Sequence, residues 1–285
     1  MIQAMSFLDR VTECHVFDPR GHRPFIVDGR EVGLIDDALA DRLRAFPDVF
    51  RVGTGRIEFV PGLDGFESRT EAVDGVLREM KANGEIAGWR NEPYPVGDRF
   101  AGPVLFHMER AAVPLFGVRA YGVHMNGAVE KDGRLYMWVG KRSLTKPTGP
   151  GKLDQLVAGG QPAGISLMDN LIKECAEEAA IPRALAAKAK PIGAVSYTTR
   201  RKEGLRRDVL FNFDLAVPTD FEPRNTDGEI ESFRLYPIEE VAEIVCDTDR
   251  FKFNCALIVI DFLIRHGVIP PDHPDYLELL KGLHG

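Results

Sequence analysis

Cysteine is scarce in this chain: four among 285 residues, Cys14, Cys175, Cys246 and Cys255. None forms a CxxC pair, which removes a paired-cysteine zinc site. Three of them lie in apolar helical patterns, where a buried thiol is expected; a reducing compartment, the cytoplasm, follows as the expectation. No apolar run reaches the length of a membrane span. The opening MIQAMSFLDR lacks the apolar core of a secretory signal, and either Met1 or Met5 fits as initiator. Basic charge is in deficit, 36 Lys and Arg against 43 Asp and Glu, so no general footprint for nucleic acid is present. The seven histidines (His15, His22, His107, His124, His266, His273, His284) show no ligand spacing, and His124, in a strand pattern, reads as a structural histidine. G-x-S-x-G and P-loop motifs are missing, as are repeats and low-complexity tracts.

What is there suits a globular protein, with 44% hydrophobic and 28% charged residues in a chain long enough for two domains. The first hundred residues predict a small α+β unit. Arg23–Val27 and Arg30–Ile35 read as strands about the Asp28-Gly29 turn, and Val49–Val52 with Arg56–Val60 as a hairpin. Helices are expected over Asp36–Phe46 and Ser68–Asn83, the second capped by Ser68. Trp89–Tyr94 reads as a linker. Beyond it, strands are expected at Val113–Met125, Arg134–Lys141, Leu153–Ala158, Ile192–Thr198, Val209–Val217 and Glu231–Leu235. Helices are expected at Ile238–Val245, Asn254–Arg265 and Asp275–Leu283. The fold class is therefore α/β (α+β), with a mixed sheet covered on both faces. The expected division is residues 1–105 for the small unit and 106–285 for the larger.

The stretch Gly159–Pro182, GGQPAGISLMDNLIKECAEEAAIP, concentrates the chemistry. Ser166 and Asp169 predict a capping box, and Pro182 marks the end of the helix. On that helix Glu177 lies about 60° to one side of Glu174 and Glu178 about 40° to the other. The three carboxylates share a stripe opposite Met168, Ile172, Cys175, Ala176 and Ala179. Such a stripe is either a solvated acidic face partly paired to Lys173 or a cage of oxygen ligands for a hard divalent cation.

These residues resemble the signature of the Nudix hydrolases: Gly, five residues, Glu, seven residues, then Arg-Glu-apolar-x-Glu-Glu-x-Gly-apolar. Gly159 takes the first position, and Lys173, Glu174, Cys175, Glu177, Glu178 and Ile181 the later ones. Three positions depart: Ile165 for the first Glu, Lys173 for Arg and Ala180 for Gly. Ile165 suggests a loop held by apolar contact, and Lys173 can hold a Glu only as a point charge. The resemblance implies an αβα sandwich, metal ligation by Glu174, Glu177 and Glu178 with Mg²⁺ or Mn²⁺, catalytic roles for Glu177 and Glu178, and a structural loop at Gly159 and Gly160. Glu229 is the further carboxylate it suggests. The isomerase of the same fold needs an exposed cysteine, and Cys175 lies on the core side of its helix.

SYTTRRKEGLRRDVLFNFDLAVP, NTDGEIESFRLYPIEEV and FNCALIVIDFLIRHGVI extend the likeness to nearly the whole chain. They are similar to the Nudix branch with an extra N-terminal domain that includes the Nudix half of fungal thiamine pyrophosphokinases. That branch implies hydrolysis of thiamine diphosphate, or preferably its oxo- and oxy- analogues, to monophosphates. ADP-ribose or another nucleoside diphosphate derivative is the competing substrate class, and a catalytically silent regulatory protein the competing role. Eight basic residues flank the signature: Lys141, Arg142, Lys146, Lys152, Arg200, Arg201, Arg206 and Arg207. Two or three are expected at phosphate, with Arg142, Lys146, Arg200 and Arg206 the candidates. Trp89 and Tyr197, with Tyr94, are the aromatic candidates for a flat heterocycle. The partner expected is a small diphosphate, with no nucleic acid and no membrane; the oligomeric state, a homodimer included, stays open.

Overall fold

In the computed structural model residues 6–284 are described; both candidate initiators, Met1 and Met5, lie outside the described residues. Ser6 opens helix α1 (Phe7–Glu13) with a capping box, its hydroxyl accepting from the Asp9 N–H while the Asp9 carboxylate accepts from the Ser6 N–H. Strands β1 (His22–Val27) and β2 (Arg30–Asp36) form an antiparallel hairpin. Asp28 and Gly29 turn it at φ of 50° and 73°, the positive pair that matches the twist of flanking strands. Asp36 then caps α2 (Asp37–Leu43). Next come β3 (Phe50–Val52), β4 (Ile57–Phe59) and α3 (Phe66–Ala82). The cap of α3 is Gly65. Ser68, expected as the cap, sits a turn inside and accepts from the Gly65 N–H. The sheet order is β2-β1-β4-β3. The expected linker leads into a second hairpin of β5 (Pro93–Val96) and β6 (Phe106–Glu109).

Phe25 is the centre of this unit's core, with Phe50, Phe59, Phe106 and Phe116 around it at ring-centroid distances of 5.3 to 6.1 Å. Edge contacts of this kind add to the burial of each ring. Phe106, Phe116 and Val118 belong to the same core, so the division expected at residue 105 runs through it. Helix α1 goes the other way: Val11 and Cys14 pack into the core of the second unit.

The second unit is built on β7 (Arg119–Lys131); the strand expected from Val113 starts only there, because residues 113–117 form a turn. Its other strands are β8 (Arg134–Arg142), β9 (Leu153–Asp154), β10 (Val157–Gly160), β11 (Lys190–Arg201), β12 (Gly204–Ala216) and β13 (Ile230–Pro237). Its helices are α4 (Leu167–Ala179), α5 (Arg183–Ala186), α6 (Ile238–Asp247), α7 (Phe253–Arg265) and α8 (Tyr276–His284). The seven-stranded sheet runs β11-β12-β7-β8-β13, with β10 on β7 and β9 on β8. It is mixed, because β12 and β7 are parallel and the other pairs antiparallel.

Alternation along β7 and β8 decides the layers. Val123 and Met125 face α4 with Leu171 and Cys175. Met137 and Val139 face α6 and α7 with Val241 and Leu257. The expected αβα sandwich is seen. No helix among the described residues is long and apolar enough to cross a membrane.

Candidate active site

Helix α4 carries the acidic stripe. Ser166 caps it, accepting from the Asp169 N–H at 3.1 Å. It stops at Ala180, whose φ is 53° and ψ 31°. In this left-handed conformation a Cβ crowds the backbone by about 1–2 kcal/mol, which is why glycine is preferred after helices. Ala180→Gly is therefore expected to stabilise the protein by about 1 kcal/mol, less the entropy glycine adds to the unfolded chain. A chemical-denaturation midpoint that stays put or falls would count against the strain. The loop before the helix is tied by polar bonds rather than the expected apolar contact: Ile165 is exposed, and the Gln161 amide donates to its carbonyl at 2.8 Å.

Glu178 of the stripe is buried and Ala176, expected on the core side, is exposed, the reverse of the sequence expectation. Glu178 reaches the outer edge of β10, where its carboxylate accepts from the Ala158 N–H at 2.8 Å. Burial pushes its carboxyl well above the usual range, the Ala158 bond opposes this, and the charges of Asp154, Glu174 and Glu229 add to it. Glu174 lies beside Gly159, where an added Cβ would come 2.3 Å from its carboxyl carbon. Burial raises its pKa too, against the pull of Lys173. Lys173 bridges Glu174 at 3.2 Å and Glu177 at 2.7 Å. Glu229 joins the group from the loop before β13, ion-paired to Lys146.

Four carboxylates, those of Glu174, Glu177, Glu178 and Glu229, thus gather, and among the described residues only Lys173 and Lys146 are in direct ion pairs with them. The excess is negative, half-buried and all oxygen. That donor set is of the kind that suits a hard divalent cation, although Glu174, Glu177 and Glu178 are not among the side chains whose ligand atoms already lie within 4.8 Å of one another.

The carboxylates line a cleft of about 830 Å³ between the two units. Its floor is the face of β7 and β12 carrying Ala120, Gly122, Asp208 and Leu210, and its roof is the N-terminal unit with Tyr94, Arg110, Pro114 and Leu115. Lys146, Arg206 and Lys252 line it as cations.

A family described as a domain of unknown function (DUF4743) matches residues 6–120. Nudix hydrolase 24 of Arabidopsis thaliana, chloroplastic, is 46% identical over 98% of this chain and 77% of its own length. Nudix hydrolase 20, chloroplastic, from the same plant has the same identity and coverage. The chain belongs to the Nudix hydrolases. Among solved structures, a MutT protein from Methanosarcina mazei matches 50% of this chain and 94% of its own, at 17% identity and a TM-score of 0.39.

The Nudix cleft gathers some of the residues singled out above and leaves others elsewhere. Glu174, Glu177, Glu178, Glu229, Lys146, Arg206, Lys173, Gly159 and Gly160 all line it. Arg142 lines it as well, but its guanidinium is spent: it is buried, donates to the Asp154 carboxylate at 2.6 Å, and also bonds the carbonyls of Thr148 and Gly149. Arg200 is a correction. It pairs with Asp36 at 2.7 Å, away from the cleft. Arg201 and Arg207 likewise reach Glu13 and Glu31. Arg200 and Arg206 are the phosphate candidates of this basic loop, yet three of its four arginines fasten the sheet to the N-terminal residues. Tyr197 is a second correction: it is buried, its hydroxyl donates to Asp208, and its ring packs edge-on to Phe253. Trp89 is a third, lying outside the cleft under Lys81, whose ammonium is 4.7 Å from the ring centroid. Of the three aromatic candidates, Tyr94 is in the cleft.

Sequence reasoning missed Asp154, Lys252 and Arg110. Asp154 is at the centre of a buried group with His124 and Cys255, whose ligand-type atoms lie within 4.8 Å of one another. The group is saturated by its own bonds: Asp154 accepts from Arg142, from the Cys255 thiol at 2.7 Å and from the Gln155 N–H at 2.9 Å. His124 Nδ1 meets the Gln155 side chain at 2.8 Å. Burial drives His124 down to about 4, so the ring is neutral. With Arg142 and Lys252 beside it, this is a structural polar floor. The strand pattern had suggested as much for His124; nothing local to residues 154 or 252 marks the others.

Proposed function

We propose that this Nudix hydrolase cleaves the diphosphate of a thiamine-type molecule to the monophosphate and phosphate, using Mg²⁺ or Mn²⁺. The observation that carries the reading is that the carboxylates line an 830 Å³ cleft. A diphosphate beside them leaves room of the size of pockets that bury a small organic molecule. The likeness of the whole chain to the thiamine branch adds to this.

In this reading Glu174, Glu177 and Glu178 would hold the cation, which would supply charge to polarise a phosphoryl oxygen and make water more acidic. Lys173 keeps Glu174 and Glu177 in place, and the Ala158 N–H fixes Glu178. Lys146 sets positive charge against the phosphate oxygens; Arg206, though it lines the cleft, is held by Asp208 and Glu203. Glu229, freed when Lys146 turns to the substrate, accepts the proton of the attacking water. With Trp89 and Tyr197 outside the cleft, a heterocycle meets Tyr94 and the apolar floor of Ala120 and Leu210 instead of an aromatic stack. The buried thiols Cys14, Cys175 and Cys255 suit a reducing compartment such as the cytoplasm.

The test compares kcat/KM for thiamine diphosphate, its oxo- and oxy- forms and ADP-ribose at one metal concentration. The oxo- and oxy- forms are expected to lead, since a cell gains by destroying only the damaged cofactor. A lead of about tenfold or more for ADP-ribose, roughly 1.4 kcal/mol in transition-state binding, would overturn the thiamine reading.

A further inference from the structure

We propose that the N-terminal unit is part of the substrate site, and that Arg110 is its substrate-contacting residue, donating to an oxygen acceptor on the diphosphate substrate. This rests on the cleft being the site of diphosphate hydrolysis and is independent of whether the diphosphate is of the thiamine type.

Arg110 follows β6, where its N–H donates to the Glu92 carbonyl at 3.0 Å. Its Nη1 donates to both oxygens of the Glu92 carboxylate, at 2.7 and 2.9 Å. Glu92 belongs to the same N-terminal unit, so this grip aims the guanidinium and does not join the two units. Nη2 has no hydrogen-bond partner among the described residues. It lies over the end of β10, where a Cβ added to Gly160 would come 1.8 Å from it. Gly160 does not have a positive φ. Its backbone does not ask for glycine; the room for the guanidinium does.

Neighbouring residues of a strand face opposite sides. Gly159 turns its bare side to Glu174, and Gly160 turns its bare side to Arg110. At this end of β10, Glu174 and the Arg110 guanidinium each lie against bare glycine backbone. A substrate lying across the strand end meets the metal-holding carboxylates on one side and the free edge of Arg110 on the other. A guanidinium with one edge fixed and one edge open is suited to a phosphate oxygen or to a carbonyl oxygen elsewhere on the substrate. Both offer the same acceptor.

The test uses the full chain with Mg²⁺ and measures kcat and KM on thiamine diphosphate, its oxo form and ADP-ribose. Arg110→Ala is expected to lower kcat/KM by about ten- to hundredfold, mainly through KM. Gly160→Ala, which drives the guanidinium out of its place, is expected to cost about the same in the parent chain. In the Arg110→Ala background it should cost less than about twofold, because nothing is left to displace. A loss shared by every substrate puts the acceptor on the diphosphate; a loss concentrated on one puts it on the remainder. The proposal is overturned if Arg110→Ala stays within about threefold of the parent on every compound hydrolysed, or if the two substitutions cost independently of each other. Should Arg110→Ala not fold, Arg110→Lys, which keeps the charge and loses the fork, carries the test with Gly160→Ala. If only ADP-ribose is hydrolysed, the thiamine reading fails and Arg110 is judged on ADP-ribose.

Discussion

Glu178→Gln is expected to lower kcat by two or more orders of magnitude while the protein stays folded. The glutamine keeps the size of the side chain and an oxygen for the Ala158 N–H, so the β10 contact survives. What is lost is one anionic oxygen among the carboxylates proposed to hold the cation. A hundredfold fall corresponds to about 2.7 kcal/mol of transition-state stabilisation, within what a metal at a phosphoryl group supplies. Near-normal turnover by the folded variant would remove Glu178 from the site.

The same substitution has a pH signature. Burial raises the Glu178 carboxyl well above its ordinary range. Between the unfolded value near 4.5 and the raised folded value, the native state keeps a proton that the unfolded chain has released. The native state then binds more protons, so its stability falls as pH rises through that window. In the presence of a chelator, the melting temperature of the parent is expected to drop more between about pH 5 and about pH 8 than that of Glu178→Gln. His124 and the other groups titrate in both proteins, so the difference isolates Glu178. Mg²⁺ should narrow the gap at the upper pH, since a cation binds the ionised carboxylate. Parallel curves without metal would show that Glu178 is not held protonated by its surroundings.

Arg142→Ala is expected to act on stability, with a cost of about 3–5 kcal/mol, because it leaves the Asp154 carboxylate buried without its partner. For a chain of this size that lowers the melting temperature by on the order of 10 °C. Lys252 stays near Asp154 and softens the loss. A second change, Asp154→Leu, should recover part of it by removing the stranded charge. If Arg142 were instead a substrate contact, Arg142→Ala would raise KM about tenfold or more at an unchanged melting temperature, and that result would reverse the assignment.

Local signals carried far in this chain. The Asp28-Gly29 turn, the Ser166 cap and the alternation along β7 and β8 each depend on a few neighbouring residues, so they were legible before the structure. The stripe of Glu174, Glu177 and Glu178 was legible for the same reason, since one helix sets their spacing. The end of α4 shows the limit: Pro182 was a fair marker, but the left-handed residue is Ala180.

Charge on loops was read least well. Arg142, Arg200, Arg206 and Arg207 look alike as residues flanking a signature, and an arginine's role depends on the carboxylate that folding brings to it. Asp154, Asp36, Asp208 and Glu31 are those partners, and only Asp208 is near its arginine in sequence. Tyr197 and Trp89 were misread for a related reason, because an aromatic ring serves a core or a cleft equally well until its neighbours are known.

The sequence by itself determined the family, the mixed sheet between helices and the three-carboxylate stripe, because each rests on short-range spacing. Tertiary structure decided which face of that helix is buried, which carboxylate each cation pairs with and that the N-terminal unit roofs the cleft. Those outcomes depend on pairings across tens to more than a hundred residues, such as Arg200 with Asp36 and Glu229 with Lys146. No local pattern encodes them, since burial and charge pairing are properties of the surfaces that meet when the chain closes.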